Sequence, residues 1–294
     1  MTYFTVGSGR EQRWGPDDQW GMWLGSGVIH GLLDLLDQFL AAPSELGRRY
    51  DPVPAALGCV PWITHGGIID RLIGMPTCIV ISKPSKSGKA LTRLAEEGAG
   101  FPSIAIPDFE GYAPRGTDGQ PTVVGPDHPW PPGDSHVGPV RVTGFMGKNV
   151  PLLHAKLLVL GDLSWQEDDF SMEMEAFRPR VVWWGSANWT QFAEQHIEMA
   201  TWSSDAGILQ RATRFLSDVV KISEPLGSTS ERPQPEYAPV EYDDDEFYEY
   251  LQEHGQPPPD EFYDGPPDPS EAAGLDRWGE YGFLSEESDE DDER

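Results

Sequence analysis

The chain has 294 residues, with 49 acidic against 21 basic side chains and a formal net charge of −28. That length holds one large domain or two small ones. From Ser223 to Arg294 there are 24 acidic and 3 basic side chains, so most of the acidity belongs to the C-terminal segment. The rest shows no broad basic face. This counts against strong non-specific nucleic-acid affinity, which arises when Lys and Arg neutralise phosphates.

Cys59 and Cys78 lie in the apolar runs GCVPWI and TCIVI and read as buried core residues, not a disulfide framework. The start, MTYFTVGSGREQRW, lacks the basic-then-apolar pattern of a leader. No apolar run approaches the roughly 18 residues of a membrane span. The expectation is a cytoplasmic protein.

Residues 1–22 are rich in Gly and Trp and read as irregular. VIHGLLDLLDQFLAA, 28–42, repeats Leu at helical spacing and predicts an amphipathic helix with His30 on its surface. GCVPW predicts a short strand, and Thr64 an N-cap for HGGIIDRLIG. TCIVIS is a β-branched strand, and SKSGKALTRLAEEG a helix ended by Gly98 or Gly100. This β-α-β-α order belongs to an α/β sheet.

FPSIAIP predicts another strand, and residues 111–139, rich in Pro and Gly, a loop. VRVTGFM and LLHAKLLVL read as paired strands, SWQEDDFSMEMEAF as an acidic interruption, and RVVWWGSAN as a strand running into a turn. HIEMATWSS is strand-like, and ILQRATRFLSDVVKI is a helix. The body ends near Leu226. Beyond it, low hydrophobicity and high net charge predict disorder, with one short capped helix in DDDEFYEYLQEHG.

Strand residues two apart share a face, so His154 and Lys156 project together. Ser186 and Asn188, in GSANW, end another strand, and Glu198 lies on the next. Together they offer a nucleophile or base, a cation, neutral donors and a carboxylate. SKPSKSGKA superficially suggests a phosphate-binding loop, but it lacks the first Gly and ends in Ala. Lys83, Lys86, Lys89 and Arg93 read as a solvated helix start, or more sharply as one wall of a polyanion groove. His128 and His136, beside Asp127 and Asp134, read as loop rather than metal ligands. Trp183 and Trp184 read as core or dimer-interface packing.

HAK at 154–156, Asp162, and GSAN at 185–188, in that order, resemble the phospholipase D superfamily, whose motif is His-x-Lys, an Asp, then Gly-Ser-x-Asn. NWTQFAEQHIEMATWSSDAGILQRATRFL is similar to the family's continuation. The resemblance is clearest over 141–222. Two features depart from it. Five residues, LLVLG, separate Lys156 from Asp162 where the family has four. A longer spacer before GSAN makes the 163–180 stretch look like an insertion, able to gate the site if it covers it.

The resemblance implies an α/β fold: a phospholipase D-like half-domain with a central mixed β-sheet flanked by helices and a disordered acidic C-terminal tail. The expected divisions are an N-terminal extension over 1–54, a catalytic domain over 55–226 and a tail over 227–294. The implied activity is a metal-independent phosphodiesterase without cofactor. A covalent phosphohistidine forms on one His while a second His serves as general acid. Lys156 and Asn188 would hold the phosphoryl oxygens, Ser186 would add a hydrogen bond, and Glu198 would fix the His154 tautomer, as a carboxylate does in a triad.

The six other histidines, His30, His65, His128, His136, His196 and His254, lie outside any HxK. The resemblance therefore implies a homodimer sharing one site across a two-fold axis. A nuclease acting on DNA or RNA is the leading reading. Single-motif relatives of this size resemble bacterial endonucleases, some in restriction or antiphage systems. A phospholipase or transphosphatidylase is the alternative, although no lipid-docking segment or apolar rim is legible. An inactive scaffold that recruits a protein partner through its acidic tail is the non-enzymatic reading. The tail either solubilises the chain or mimics nucleic acid.

Overall fold

The computed structural model describes residues 12–14, 19–42, 52–86, 88–100, 104, 106, 109, 111–126, 137–146, 153–167 and 173–254. The chain divides into two units. The first joins Met1–Pro121 to Pro132–Pro239, and the second joins Thr122–Pro131 to Val240–Arg294.

The first unit carries, in chain order, β1 (Gln12–Trp14), β2 (Trp20–Gly25), α1 (Val28–Ala41), β3 (Val53–Val60), α2 (Gly66–Ile73), β4 (Thr77–Ser82), α3 (Lys89–Gly98) and β5 (Tyr112–Pro114). The second unit supplies β6 (Val123–Val124). The first then resumes with β7 (Val140–Thr143), β8 (Leu157–Glu167), β9 (Glu173–Gly185), β10 (Glu198–Ser203), α4 (Ala206–Lys221), β11 (Glu224–Pro225) and β12 (Tyr237–Pro239). The second closes with β13 (Glu241–Tyr242) and α5 (Asp244–His254).

One nine-stranded sheet runs in the order β1-β2-β10-β9-β8-β3-β4-β7-β11. Strands β3, β4 and β7 are mutually parallel, and the other pairings are antiparallel. Alternation along the strands feeds two cores. Ala56, Val60, Ile79, Ile81, Leu158 and Leu160 face one core, shared with α1, α2 and α3 through Leu32, Leu36, Ile68, Leu72, Leu91 and Leu94. Leu57, Cys59, Cys78, Val80 and Val159 face the other, shared with Leu216, Val219 and Val220 of α4. A β-branched run such as TCIVIS is buried on both faces, as parallel strands require. This is an α/β fold with a central mixed sheet between helices. Both cysteines are buried and free, and burial pushes each thiol up to about 12.

Several pairings differ from those read in the sequence. The N-terminal residues are not irregular throughout, because β1 pairs with β2 and β2 pairs along the whole of β10 in the main sheet. Strands β7 and β8 do not pair with each other: β7 lies between β4 and β11, and β8 between β3 and β9. His65, not Thr64, caps α2, with its Nδ1 accepting from the Ile68 N–H at 3.3 Å. Of FPSIAIP, the described Ile104 and Ile106 are buried without forming a strand.

Folded chain also continues beyond 226. Strand β12 pairs with β5, and Tyr237 packs edge-on against Phe109 with ring centroids 4.9 Å apart. In the second unit β13 pairs in parallel with β6. Helix α5 forms over the stretch expected to be a short helix, with three acidic residues in its first turn, where they complement the helix dipole. Residues 127–136, with His128 and His136, and residues 255–294 lie outside the described residues.

The described parts of the 163–180 stretch, 163–167 and 173–180, are strand. The β8–β9 ladder runs unbroken in direction from Leu157↔Trp184 to Glu167↔Glu173. Its register shifts at Leu160/Gly161, leaving Arg180 as the extra residue of a bulge beside Pro179. Gly161 is required there, since a Cβ would stand 2.2 Å from the Arg178 carbonyl oxygen. Arg180 Nη1 reaches the buried Asp162 carboxylate at 3.3 Å. Asp162 therefore sits in a structural ion pair within the hairpin, about 20 Å along the strand from Lys156 at ~3.3 Å per residue.

Candidate active site

The β8–β9 hairpin sets where the polar motif residues meet. The start of β8 lies beside the end of β9, and the Gly185 N–H donates to the Lys156 carbonyl at 3.2 Å. A Cβ on Gly185 would stand 2.4 Å from the Met199 carbonyl oxygen, so glycine permits β10 to approach. The Ser186 N–H then donates to that carbonyl at 2.9 Å, and the Met199 N–H returns a bond to Ser186 Oγ at 3.0 Å. HAK, GSAN and Glu198 thus gather at one edge of the sheet. It is also the edge where parallel β3 and β4 end, since Cys59 stands opposite Leu157. In open α/β sheets, ligands bind outside the carboxyl ends of the parallel strands. The described end of the ladder, Glu167↔Glu173, lies more than about 30 Å along it from this edge at ~3.3 Å per residue.

His154 and Lys156 occupy the extended segment immediately before β8. His154 is exposed, whereas Lys156 is 7% exposed. The Lys156 ammonium donates to the His154 carbonyl at 2.8 Å and stands 3.4 Å from Nδ1 and 3.5 Å from Nε2 of the imidazole. Burial holds the Lys156 pKa below the usual lysine range, against the opposing pull of the Glu198 charge.

Ser186 Oγ donates to Glu198 Oε2. Glu198 Oε1 lies 3.8 Å from Nδ1 of the exposed His196. The role expected of Glu198 was to hold the His154 ring, but its carboxylate instead takes the Ser186 hydroxyl. Asn188 Oδ1 is buried without a hydrogen-bond partner. A buried acceptor left unmatched costs about 1–3 kcal/mol.

The chain after GSAN is locked to the turn after β3. Trp189 is 1% exposed, its N–H donates to the Trp62 carbonyl at 3.2 Å, and its carbonyl accepts from the N–H groups of Thr64 and His65 at 2.9 and 3.1 Å. His65 Nε2 meets Glu194 Oε1 at 2.8 Å. With Nδ1 already accepting from Ile68, the Nε2 carries the proton. The His65 hydrogen bond holds Glu194 below the usual carboxylate range. Sequence reading missed this dyad because nothing local distinguishes either residue.

An apolar rim, also unforeseen, borders the edge. Phe192 is 76% and Ile197 71% exposed, with Met199, its register partner Leu24, and Trp62 exposed as well. The lysines after β4 differ in the opposite sense. Lys83 is fully buried, bonded to Glu224 Oε1 at 2.5 Å and Ser230 Oγ at 2.9 Å, and Arg93 is ion-paired with Asp70 and Glu97. These two cations do not line a groove. Among the described residues no helix is long and apolar enough to cross a membrane.

No protein-family model and no curated protein matches the chain. Solved structures similar to it include a phospholipase D family member, Nuc, from Salmonella typhimurium, at 15% identity. That match covers 68% of this chain and 93% of the other, with a TM-score of 0.36. NucT from Helicobacter pylori is similar at 14% identity, covering 70% and 98%, with a TM-score of 0.39.

Proposed function

We propose that this sheet edge is the active site of a metal-independent phosphodiesterase acting through His154. One observation carries the reading. HAK and GSAN, far apart in sequence, meet across the Gly185–Lys156 hydrogen bond, bringing an exposed imidazole, a nearly buried ammonium and the Ser186 and Asn188 side chains to one edge.

A ring nitrogen of neutral His154 attacks phosphorus, and the bond from phosphorus to the leaving oxygen breaks. That oxygen takes a proton from a second imidazole acting as general acid. Water, deprotonated by the same imidazole, then displaces His154 from phosphorus and restores both rings. Lys156 turns its ammonium from the His154 carbonyl to the phosphoryl oxygens, joined by the Asn188 amide, so that charge developing in the transition state meets fixed donors. Glu198 orients Ser186 and balances Lys156.

The second imidazole is the partner's His154 in a homodimer. The exposed Leu24 and its register partner Met199, with exposed Ile197 and Phe192 nearby in sequence, support such an interface, since exposed large apolar side chains gathered in one region favour a contact surface. The substrate is nucleic acid in the leading reading, and the family resemblance extends this to a cytoplasmic endonuclease of the restriction or antiphage kind. The same rim favours a second reading, in which the diester is a lipid and the rim meets its acyl chains.

The test is hydrolysis in EDTA of labelled single- and double-stranded DNA, RNA and phosphatidylcholine vesicles by wild type and His154→Ala, with the mass in solution measured alongside. Nucleic-acid cleavage by wild-type dimer alone is the expected result. Lipid cleavage alone would replace the nuclease reading, and an active monomer would remove the shared site.

A further inference from the structure

His154 and Lys156 lie outside the regular β8 ladder, so something other than strand pairing must hold the segment that carries the imidazole. Three hydrogen bonds do so. The Gly185 N–H takes the Lys156 carbonyl, and the Lys156 ammonium takes the His154 carbonyl. The third comes from elsewhere in the sheet: Ser82 Oγ donates to the carbonyl of Leu153 at 3.0 Å. Ser82 is the last residue of β4, 1% exposed, and among the described residues this is the one bond its hydroxyl makes.

The anchor itself is rigid. Ser82 pairs with Thr143 of β7, and Thr143 Oγ1 donates to the Ile222 carbonyl at 3.3 Å. The next residue, Lys83, is fully buried in its ion pair with Glu224. A buried serine at a strand end ordinarily needs only some acceptor. Here the acceptor belongs to the peptide immediately before His154, and it is the one cross-strand tie N-terminal to the imidazole among the described residues. The Leu153 carbonyl also belongs to the peptide whose N–H is that of His154, so fixing it fixes the backbone from which the ring projects.

We propose that Ser82 is a positioning residue for His154. It does not touch the substrate. It couples the rigid end of β4 to the placement of the attacking imidazole, and this assignment rests on the reading of His154 given above. Misplacing a reacting group by about 1 Å can cost up to ~100-fold in rate, and loosening one of three ties should cost part of that.

The experiment compares full-length wild type, Ser82→Ala and Ser82→Thr on bis(p-nitrophenyl) phosphate in EDTA, well below each melting temperature. The His154 ring resonance, assigned with His154→Ala, is followed by NMR in each. The expected result is that Ser82→Ala lowers kcat about tenfold with KM within about twofold, and shifts or broadens the His154 resonance. Ser82→Thr, which keeps the hydroxyl, should stay near wild type in both. The proposal is overturned if Ser82→Ala melts lower yet keeps its kcat and an unchanged His154 resonance, because the hydroxyl is then structural only. It is also overturned if Ser82→Thr loses as much as Ser82→Ala, because the effect is then one of side-chain volume. If wild type cleaves no diester, the phosphodiesterase reading fails, and the NMR comparison still decides whether Ser82 sets the ring.

Discussion

Lys83 and Lys156 stand at the same edge of the sheet, one just after β4 and the other just before β8, and the surroundings of the two ammonium groups are opposite. Lys83 meets a carboxylate, a hydroxyl and two backbone carbonyls, those of Ser230 and Arg232. Every proton it can donate is taken. Lys156 is nearly as buried, yet it meets a histidine ring and that residue's own carbonyl, with no carboxylate in contact among the described residues. An ammonium taken out of water without a counter-ion raises the energy of the charged form, which is why burial depresses the Lys156 pKa. The first lysine closes the fold by pinning residues 224–234 onto the sheet end. The second is, under the proposed function, the cation that meets the phosphate.

This contrast can be broken from either side, and the largest expected effect falls on function. Lys156→Ala should leave the fold intact and cut kcat about 10²–10³-fold, the loss typical of removing one transition-state donor. Steady-state kinetics beside a melting curve would check both halves. Lys83→Met should do the reverse. Removing one member of a buried pair costs about 3–5 kcal/mol, read as a lower denaturation midpoint, while the surviving folded fraction keeps its chemistry. Equal stability of Lys83→Met and wild type would erase the distinction.

The pH dependences sharpen it further. Burial pushes Glu224 up, but its bonds from Lys83, Ser228, Ser230 and the Gln234 N–H outweigh this and leave it below the usual carboxylate range. Its stabilisation is therefore complete above the ordinary Glu pKa of about 4.3 and lost as pH falls through the lower folded value. For Lys156 the folded pKa is depressed, so the folded state sheds its proton first. Stability then rises with pH between that value and the ordinary ~10.4, while activity falls because the phosphate clamp is discharged. The alkaline limb of kcat/KM should lie below ~10.4 and move upward in Lys156→Arg; an unmoved limb would assign it to another group. The smallest expected effect concerns the cysteines. With both thiols near 12, a thiol reagent at pH 8 should label neither Cys59 nor Cys78 until the protein unfolds.

Much of this arrangement was legible in the sequence. The helices over VIHGLLDLLDQFLA, KALTRLAEEG and ILQRATRFLSDVVK follow from apolar spacing, though the second starts four residues later than read, and the α/β sheet follows from the order of elements. HAK, GSAN and Glu198 converge because β8, β9 and β10 are sequential antiparallel neighbours, so local order implies spatial order. What escaped depends on distant pairing. Nothing near WGMWLG marks it as the partner of β10. Nothing near Lys83 signals a carboxylate at Glu224. The acidic 163–180 stretch reads as an interruption until 163–167 and 173–177 are seen to pair. Glu198 was assigned to the His154 ring by resemblance, whereas Ser186, directly across the strand end, is closer to hand.

The central claim is that His154 attacks phosphorus without a metal. The most direct measurement is a single-turnover reaction in EDTA with ³²P-labelled diester, quenched in alkali and analysed for phosphohistidine, on wild type and His154→Ala. The account expects label on the wild-type protein at His154 and none on the variant. Turnover by wild type with no labelled histidine, or equal labelling of both proteins, would contradict it.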